Sequence, residues 1–138
     1  MIAGMDPTPE DHVAITKLLA RYCLALDLDD VEAWVELFLA DASYQVFGRT
    51  WDGHEGLRRM LRSAPGGLHL GGPPVIDMVS VDEARTTQNL LFAEAGTGAM
   101  RRCLYTDQLR RTSDGWRIAR RRCQFIGADG LSDRPDQP

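Results

Sequence analysis

From Glu10 to Leu26 the apolar side chains recur three or four residues apart. Ile15, Leu18, Leu19, Tyr22, Ala25 and Leu26 make one continuous apolar face, and the segment is predicted to be an amphipathic helix. Asp29 or Asp30 is placed to cap a second, shorter helix in which Trp34, Leu37 and Phe38 form a compact stripe, ending at Asp41 and Ala42. The two should form an αα-hairpin. The period then changes: Ser43 to Phe47 reads as a strand, Gly48 as a tight return, and Thr50 to Gly53 as the way back. A third short helix opens at Gly53-His54-Glu55-Gly56, buries Leu57, Met60 and Leu61, and stops at Pro65-Gly66-Gly67. Strands are expected over 68–81, 84–95, 100–112 and 116–126, and the Gly-x-Gly and Asp-Gly turns predict an antiparallel meander for the last three. Helices gathered first and strands after them indicate an α+β layer, with helices packed on one face of a curved sheet. A concave sheet closed by helices encloses a pocket.

A chain of 138 residues suits one domain with a single core. Residues 1–9 and 127–138, rich in Pro, Gly and Asp, read as loose tails around a domain spanning 10–126. No apolar run is long enough to span a bilayer and no charged-then-apolar leader is present, so a cytoplasmic protein with no membrane partner is expected. Cys23, Cys103 and Cys123 are odd in number and lack a C-x-x-C pattern. They read as reduced core thiols, neither a disulfide framework nor a zinc site. The net charge is −4, yet Arg101, Arg102, Arg110, Arg111, Arg117, Arg120, Arg121 and Arg122 crowd the last third. A nucleic-acid surface would add overall basic charge and interleaved aromatics, so these arginines read as a solvated sheet face whose long side chains lie over apolar surface. Lys17 is the only lysine and no glycine-rich loop accompanies it, so no phosphate-binding signature is present.

Asp27 and His69 are the candidate chemistry, because each interrupts an otherwise apolar stretch. If they meet, they make an acid-base dyad: a neutral imidazole takes a proton from carbon beside an electron-withdrawing group, and a carboxylate on its other nitrogen fixes the tautomer. No metal and no organic cofactor is needed for that step. Taken alone, Asp27 also suits a turn or cap, His69 a core histidine satisfied by a carbonyl, and Tyr22 a helix-core position with its hydroxyl at the rim. His12 and His54 read as solvated helix-start residues, and Glu55 as favourable to a helix dipole.

Several motifs stand in a telling order: Arg21-Tyr22-x-x-Ala25-Leu26-Asp27, Trp34-x-x-Leu37-Phe38, Asp41-Ala42, and Trp51-x-Gly53-x-Glu55-Gly56-Leu57. His69 follows the third helix, and Tyr105-x-Asp107-x-Leu109-x-Arg111-x-x-x-Gly115-Trp116-Arg117-Ile118 comes near the end. Over nearly all of 10–126 this order resembles the SnoaL-like branch of the NTF2-like superfamily. The resemblance implies a cone-shaped α+β barrel, a curved, mostly antiparallel sheet with N-terminal helices packed over a central pocket. Within the superfamily the pattern looks like the His-Asp lyases: scytalone dehydratase, bile-acid 7α-dehydratase and hexachlorocyclohexane dehydrochlorinase. The layout of His69-Leu70-Gly71-Gly72-Pro73-Pro74 is similar to the bile-acid dehydratase segment around its catalytic His.

That likeness implies His69 as base and Asp27 as its orienter. Tyr22 and Tyr44 match pocket positions, where a phenol would hydrogen-bond the oxygen that gains charge or assist a departing hydroxyl. Trp51, Tyr105 and Asp107 are further substrate-binding candidates, the last two alternating on one strand face. Scytalone dehydratase has a second pocket His on the next strand, which this chain lacks, and that argues against a scytalone-type substrate. The expectation is a homodimeric, cofactor-independent, dehydratase-like lyase acting on a small hydrophobic cyclic ligand that bears hydroxyl or carbonyl groups. Two alternatives stand beside it. One is an isomerase or cyclase of a steroid or polyketide-like substrate, although the acid that ketosteroid isomerases carry on the first strand is replaced here by Ser43-Tyr44-Gln45. The other is a non-catalytic binding module, or a structural subunit like the β subunits of ring-hydroxylating dioxygenases, which should lack a polar pocket dyad.

Overall fold

The computed structural model describes residues 5–136. Helix α1 (Pro9–Asp27) starts where the Thr8 hydroxyl accepts the Asp11 N–H at 3.1 Å and proline takes the first helical position. It ends in a Schellman motif: the Asp30 N–H reaches the Ala25 carbonyl, the Asp29 N–H reaches Leu26, and Asp29 is left-handed at φ 56. Helix α2 (Val31–Val35) is capped by Asp30, whose carboxylate accepts the Ala33 N–H.

The second helix is shorter than its apolar stripe implies, because Phe38 opens strand β1 (Phe38–Val46) instead. The Ile118 N–H donates to the Leu37 carbonyl at 2.8 Å and Phe38 pairs with Ile118, so sheet pairing overrides helical periodicity there. Phe47 and Gly48, at φ 55 and 69, turn the chain into β2 (Arg49–Asp52), as a two-residue hairpin with both φ positive requires. Helix α3 (Gly53–Ser63) follows. The strand expected over 68–81 is two strands, β3 (Gly67–Gly71) and β4 (Val75–Ser80). Pro73 and Pro74 have no N–H to give to a ladder and divide them.

Strands β5 (Glu83–Glu94), β6 (Met100–Thr112) and β7 (Gly115–Gly127) form the expected meander. The sheet order is β2-β1-β7-β6-β5-β3, with β4 also on β5 and β8 (Gly130–Ser132) on β7. Among the described residues only the β1–β7 pair is parallel. Strands β2 and β3 end the order and do not pair with each other, so the curved sheet is open and the helices complete the enclosure. Residues 130–132, expected within a loose tail, thus carry a short strand, and the Met78 N–H donates to the Met5 carbonyl at 2.8 Å. The tail residues 1–4 and 137–138 lie outside the described residues. Among the described residues no helix is long and apolar enough to cross a membrane.

Alternate residues face the concave side: Ala84, Thr86, Gln88, Leu90 and Phe92 on β5, and Cys103, Tyr105, Asp107 and Leu109 on β6. On β7 the register slips, since Gln108 lies opposite Arg120 while Leu109 lies opposite Ile118. Ala119 is therefore the extra residue of a bulge, and after it Arg121, Cys123 and Phe125 point inward in place of Arg120, Arg122 and Gln124. This corrects the reading of the C-terminal arginines as one solvated face. Arg121 is fully buried, Arg111 grips Asp11 through both terminal nitrogens at 2.8 and 2.7 Å, and Arg101 lines the internal cavity.

Candidate active site

The Schellman turn makes Asp27 the last residue of α1, and no basic residue stands in that helix's last turn. A carboxylate at the negative end of a helix dipole is locally unfavourable, so something else must hold it there. That partner is His69 on the edge strand β3, against which α1 packs. Asp27 Oδ1 accepts the His69 backbone N–H at 2.9 Å and lies 2.8 Å from its ring Nδ1. The first bond satisfies a donor on the outer edge of the sheet. An ionised carboxylate only accepts, so in the neutral imidazole the second places the proton on Nδ1 and leaves Nε2 as the acceptor. Both side chains are 14 % exposed. Phe92, paired with His69 across the β3–β5 ladder, places its ring 4.8 Å from the imidazole. In the segment around His69 it is Leu68 and Leu70 that face outward, while the histidine faces the interior.

His69 opens onto a cavity of about 360 Å³, within the range of small-molecule sites. Tyr22, Tyr44, Trp51 and Tyr105 all line it. The Tyr22 and Tyr44 hydroxyls lie 2.9 Å apart. One of their two protons is spent between them, leaving the other phenol free to donate to a guest. Burial, above all, pushes the Tyr22 phenol up and those of Tyr44 and Tyr105 well up, so all three stay protonated donors at neutral pH.

Asp107, expected in the substrate site, does not line the cavity. Its carboxylate accepts Arg121 Nε and Nη2 at 2.7 Å each, together with the Thr86 hydroxyl, and both members of the ion pair are fully buried. The Arg121 guanidinium lies 4.0 Å from the ring centroids of both Tyr22 and Tyr105, stacked behind the phenols. Burial works against its charge, and Asp107 more than compensates, holding it well above its ordinary range. His54, read as solvated, hydrogen-bonds through Nε2 to the Phe38 carbonyl at 3.0 Å. Reasoning from the sequence alone missed Arg49, Arg101, Cys103 and Cys123 as cavity residues. For Arg101 and Cys103 the signal was available, because they continue the inward alternation of Tyr105 and Asp107.

A sequence profile of the SnoaL-like domain matches residues 7–122. The chain belongs to the SnoaL-like domain family. No curated protein sequence matches it significantly. Among solved structures it is similar to an NTF2-like protein with a cystatin-like fold from Novosphingobium aromaticivorans, with 29% identity and a TM-score of 0.73 over 83% of this chain and 80% of that one. It is also similar to a proposed scytalone dehydratase from the same species, at 18% identity and a TM-score of 0.75 over 94% of each chain. A type 2 hexachlorocyclohexane dehydrochlorinase stands at 16% and 0.74, again over 94% of each. At those last two identities the likeness establishes the fold. This SnoaL-like domain therefore has an NTF2-like α+β architecture, with His69 at the cavity wall in contact with Asp27 behind it.

Proposed function

We propose that this protein is a cofactor-independent lyase acting on a small cyclic compound that carries hydroxyl and carbonyl groups. The observation that carries the reading is the 2.8 Å contact of Asp27 Oδ1 with His69 Nδ1 at the wall of the cavity. His69 Nε2 removes a proton from carbon beside the carbonyl, and Asp27 stabilises the imidazolium that forms. The Tyr22–Tyr44 pair donates to the carbonyl oxygen as it gains charge, from phenols buried in the cavity wall. The electron pair left on carbon becomes the new double bond, the C–O bond on the next carbon breaks, and the hydroxide leaves as water with the proton returned by the imidazolium. The same first step would serve an isomerase, which returns the proton to another carbon instead.

A structural-subunit role is disfavoured by a His–Asp pair whose imidazole faces a cavity. Exposed Leu68, Leu70 and Leu91, neighbours across β3 and β5, suit a second copy of this chain, and light scattering in solution would distinguish a homodimer from a monomer.

The reading is tested by incubating cyclic β-hydroxy ketones with the wild type, His69→Ala and Asp27→Asn and following the conjugated product. Elimination by the wild type should fall by about 10²–10⁴-fold in His69→Ala and leave a remnant in Asp27→Asn. Unchanged turnover in His69→Ala would rule the dyad out. Binding without turnover by the wild type would favour the non-catalytic module.

A further inference from the structure

Arg101 occupies an inward-facing position on β6, where residues 103, 105, 107 and 109 are all buried. It lines the cavity at the end of the strand, with its guanidinium 5.9 Å from the Phe47 ring centroid. Arg49 on β2 also lines the cavity, 4.4 Å over Trp51. Phe47 and Trp51 line it too, so both cations lie on aromatic rings at its mouth. Neither has a carboxylate within ion-pair distance among the described residues, whereas Arg58, Arg111, Arg121 and Arg122 are all paired. Asp29 is the one carboxylate among the lining residues, and it comes from the turn between α1 and α2. Arg101 is half-buried and Arg49 exposed, and a guanidinium half-buried beside an apolar cavity gives up hydration that only an anion replaces well.

The strand register adds a ruler. His69 pairs with Phe92, and Phe92 pairs with Arg101, so the three side chains stand in one row on the same face of β3, β5 and β6. Neighbouring strands lie about 4.8 Å apart, which puts the backbones of His69 and Arg101 about 10 Å apart with Phe92 between them. A planar ring resting on Phe92 would offer a C–H to His69 at one end and an anion to Arg101 at the other.

We propose that the cavity selects cyclic carboxylic acids, with Arg101 and Arg49 at its mouth binding the carboxylate while the ring presents its reacting carbon to His69. The guanidinium fork matches a carboxylate in plane, and the stacked aromatics hold the fork in place. The inference deepens the function proposed above and rests on it, so its test reads binding, which is separable from turnover.

The experiment is isothermal titration of 2-naphthoate and the uncharged 2-naphthamide against the wild type, His69→Ala, and Arg49→Gln/Arg101→Gln. The wild type and His69→Ala should both prefer the acid by about tenfold or more. The double arginine variant should lose that preference, and its unfolding temperature checks that it remains folded. Equal affinity for acid and amide in the wild type, or a preference that survives in the arginine variant, would overturn the proposal. A preference lost in His69→Ala would assign the anion to the imidazole and overturn it as well. Stronger binding of 2-naphthyl phosphate than of 2-naphthoate would overturn the choice of carboxylate. Absence of elimination by the wild type with the acid preference intact would count against the proposed elimination alone and leave the carboxylate site standing.

Discussion

A single oxygen of Asp27, Oδ1, accepts hydrogen bonds from both the backbone N–H and the ring Nδ1 of His69, at 2.9 and 2.8 Å. The carboxylate thus closes a sheet edge and sets a tautomer at once. The two roles separate by substitution. Asparagine keeps an acceptor for the backbone N–H but loses the charge that stabilises an imidazolium. Asp27→Asn should therefore unfold in urea within about 1 kcal/mol of the wild type, whereas Asp27→Ala, which leaves that N–H without its partner, should lose about 1–3 kcal/mol.

Asp107 and Arg121 make the opposite prediction, large in stability and small in direct chemistry. Both are fully buried and joined by two 2.7 Å hydrogen bonds. Asp107→Ala strands a cation between two tyrosine rings and should cost about 3–5 kcal/mol by chemical denaturation. Replacing both partners with apolar residues, Asp107→Leu with Arg121→Met, should cost much less than Asp107→Ala alone.

Why Arg121 escaped notice in the sequence is a matter of one residue. Simple alternation from Trp116 and Ile118 puts Arg120 and Arg122 inside, and only the bulge at Ala119 turns Arg121 inward. Bulges leave no clear mark in a run such as Ala-Arg-Arg-Arg. The early end of α2 was hidden for a related reason, since Trp34, Leu37 and Phe38 are buried on either reading and the choice was made by distant Ile118. By contrast α1, α3, β5 and β6 were legible, because each buries a face with a clean period of its own, and the Asp114-Gly115 turn marked where β7 begins. Asp27 and His69 were legible as misfits in apolar stretches. The Asp107 position was read correctly as inward, but its partner was not, so a structural ion pair was taken for part of a substrate site.

The tyrosines offer a spectroscopic prediction, for all three in the sequence, Tyr22, Tyr44 and Tyr105, are buried with raised phenol pKa values. An ultraviolet titration of the folded protein should show no phenolate band near the ordinary value of 10.0, the band emerging only together with unfolding. A phenolate appearing near 10.0 while the fold is intact would contradict the burial of these phenols in the cavity wall.

Asp11 should govern part of the acid limb. Its carboxylate accepts both Arg111 terminal nitrogens and the Trp116 indole N–H, and the Arg111 bonds, against burial, hold it below its ordinary 3.8. The unfolded chain then takes up the proton first, so the contribution is full above 3.8 and disappears as pH falls through the lower folded value. The difference in unfolding temperature between the wild type and Asp11→Asn should be largest near neutrality and shrink below that pH.

The central claim is that Asp27 holds His69 as a neutral base with Nε2 bare toward the cavity. Nitrogen-15 NMR of the ring, assigned through His69→Ala, reports that state directly. The wild type should show the Nδ1–H tautomer for His69 at neutral pH, and Asp27→Ala should shift it toward the Nε2–H form that free imidazole side chains favour. A wild-type His69 already in the Nε2–H form, or a ring indifferent to Asp27→Ala, would contradict the dyad.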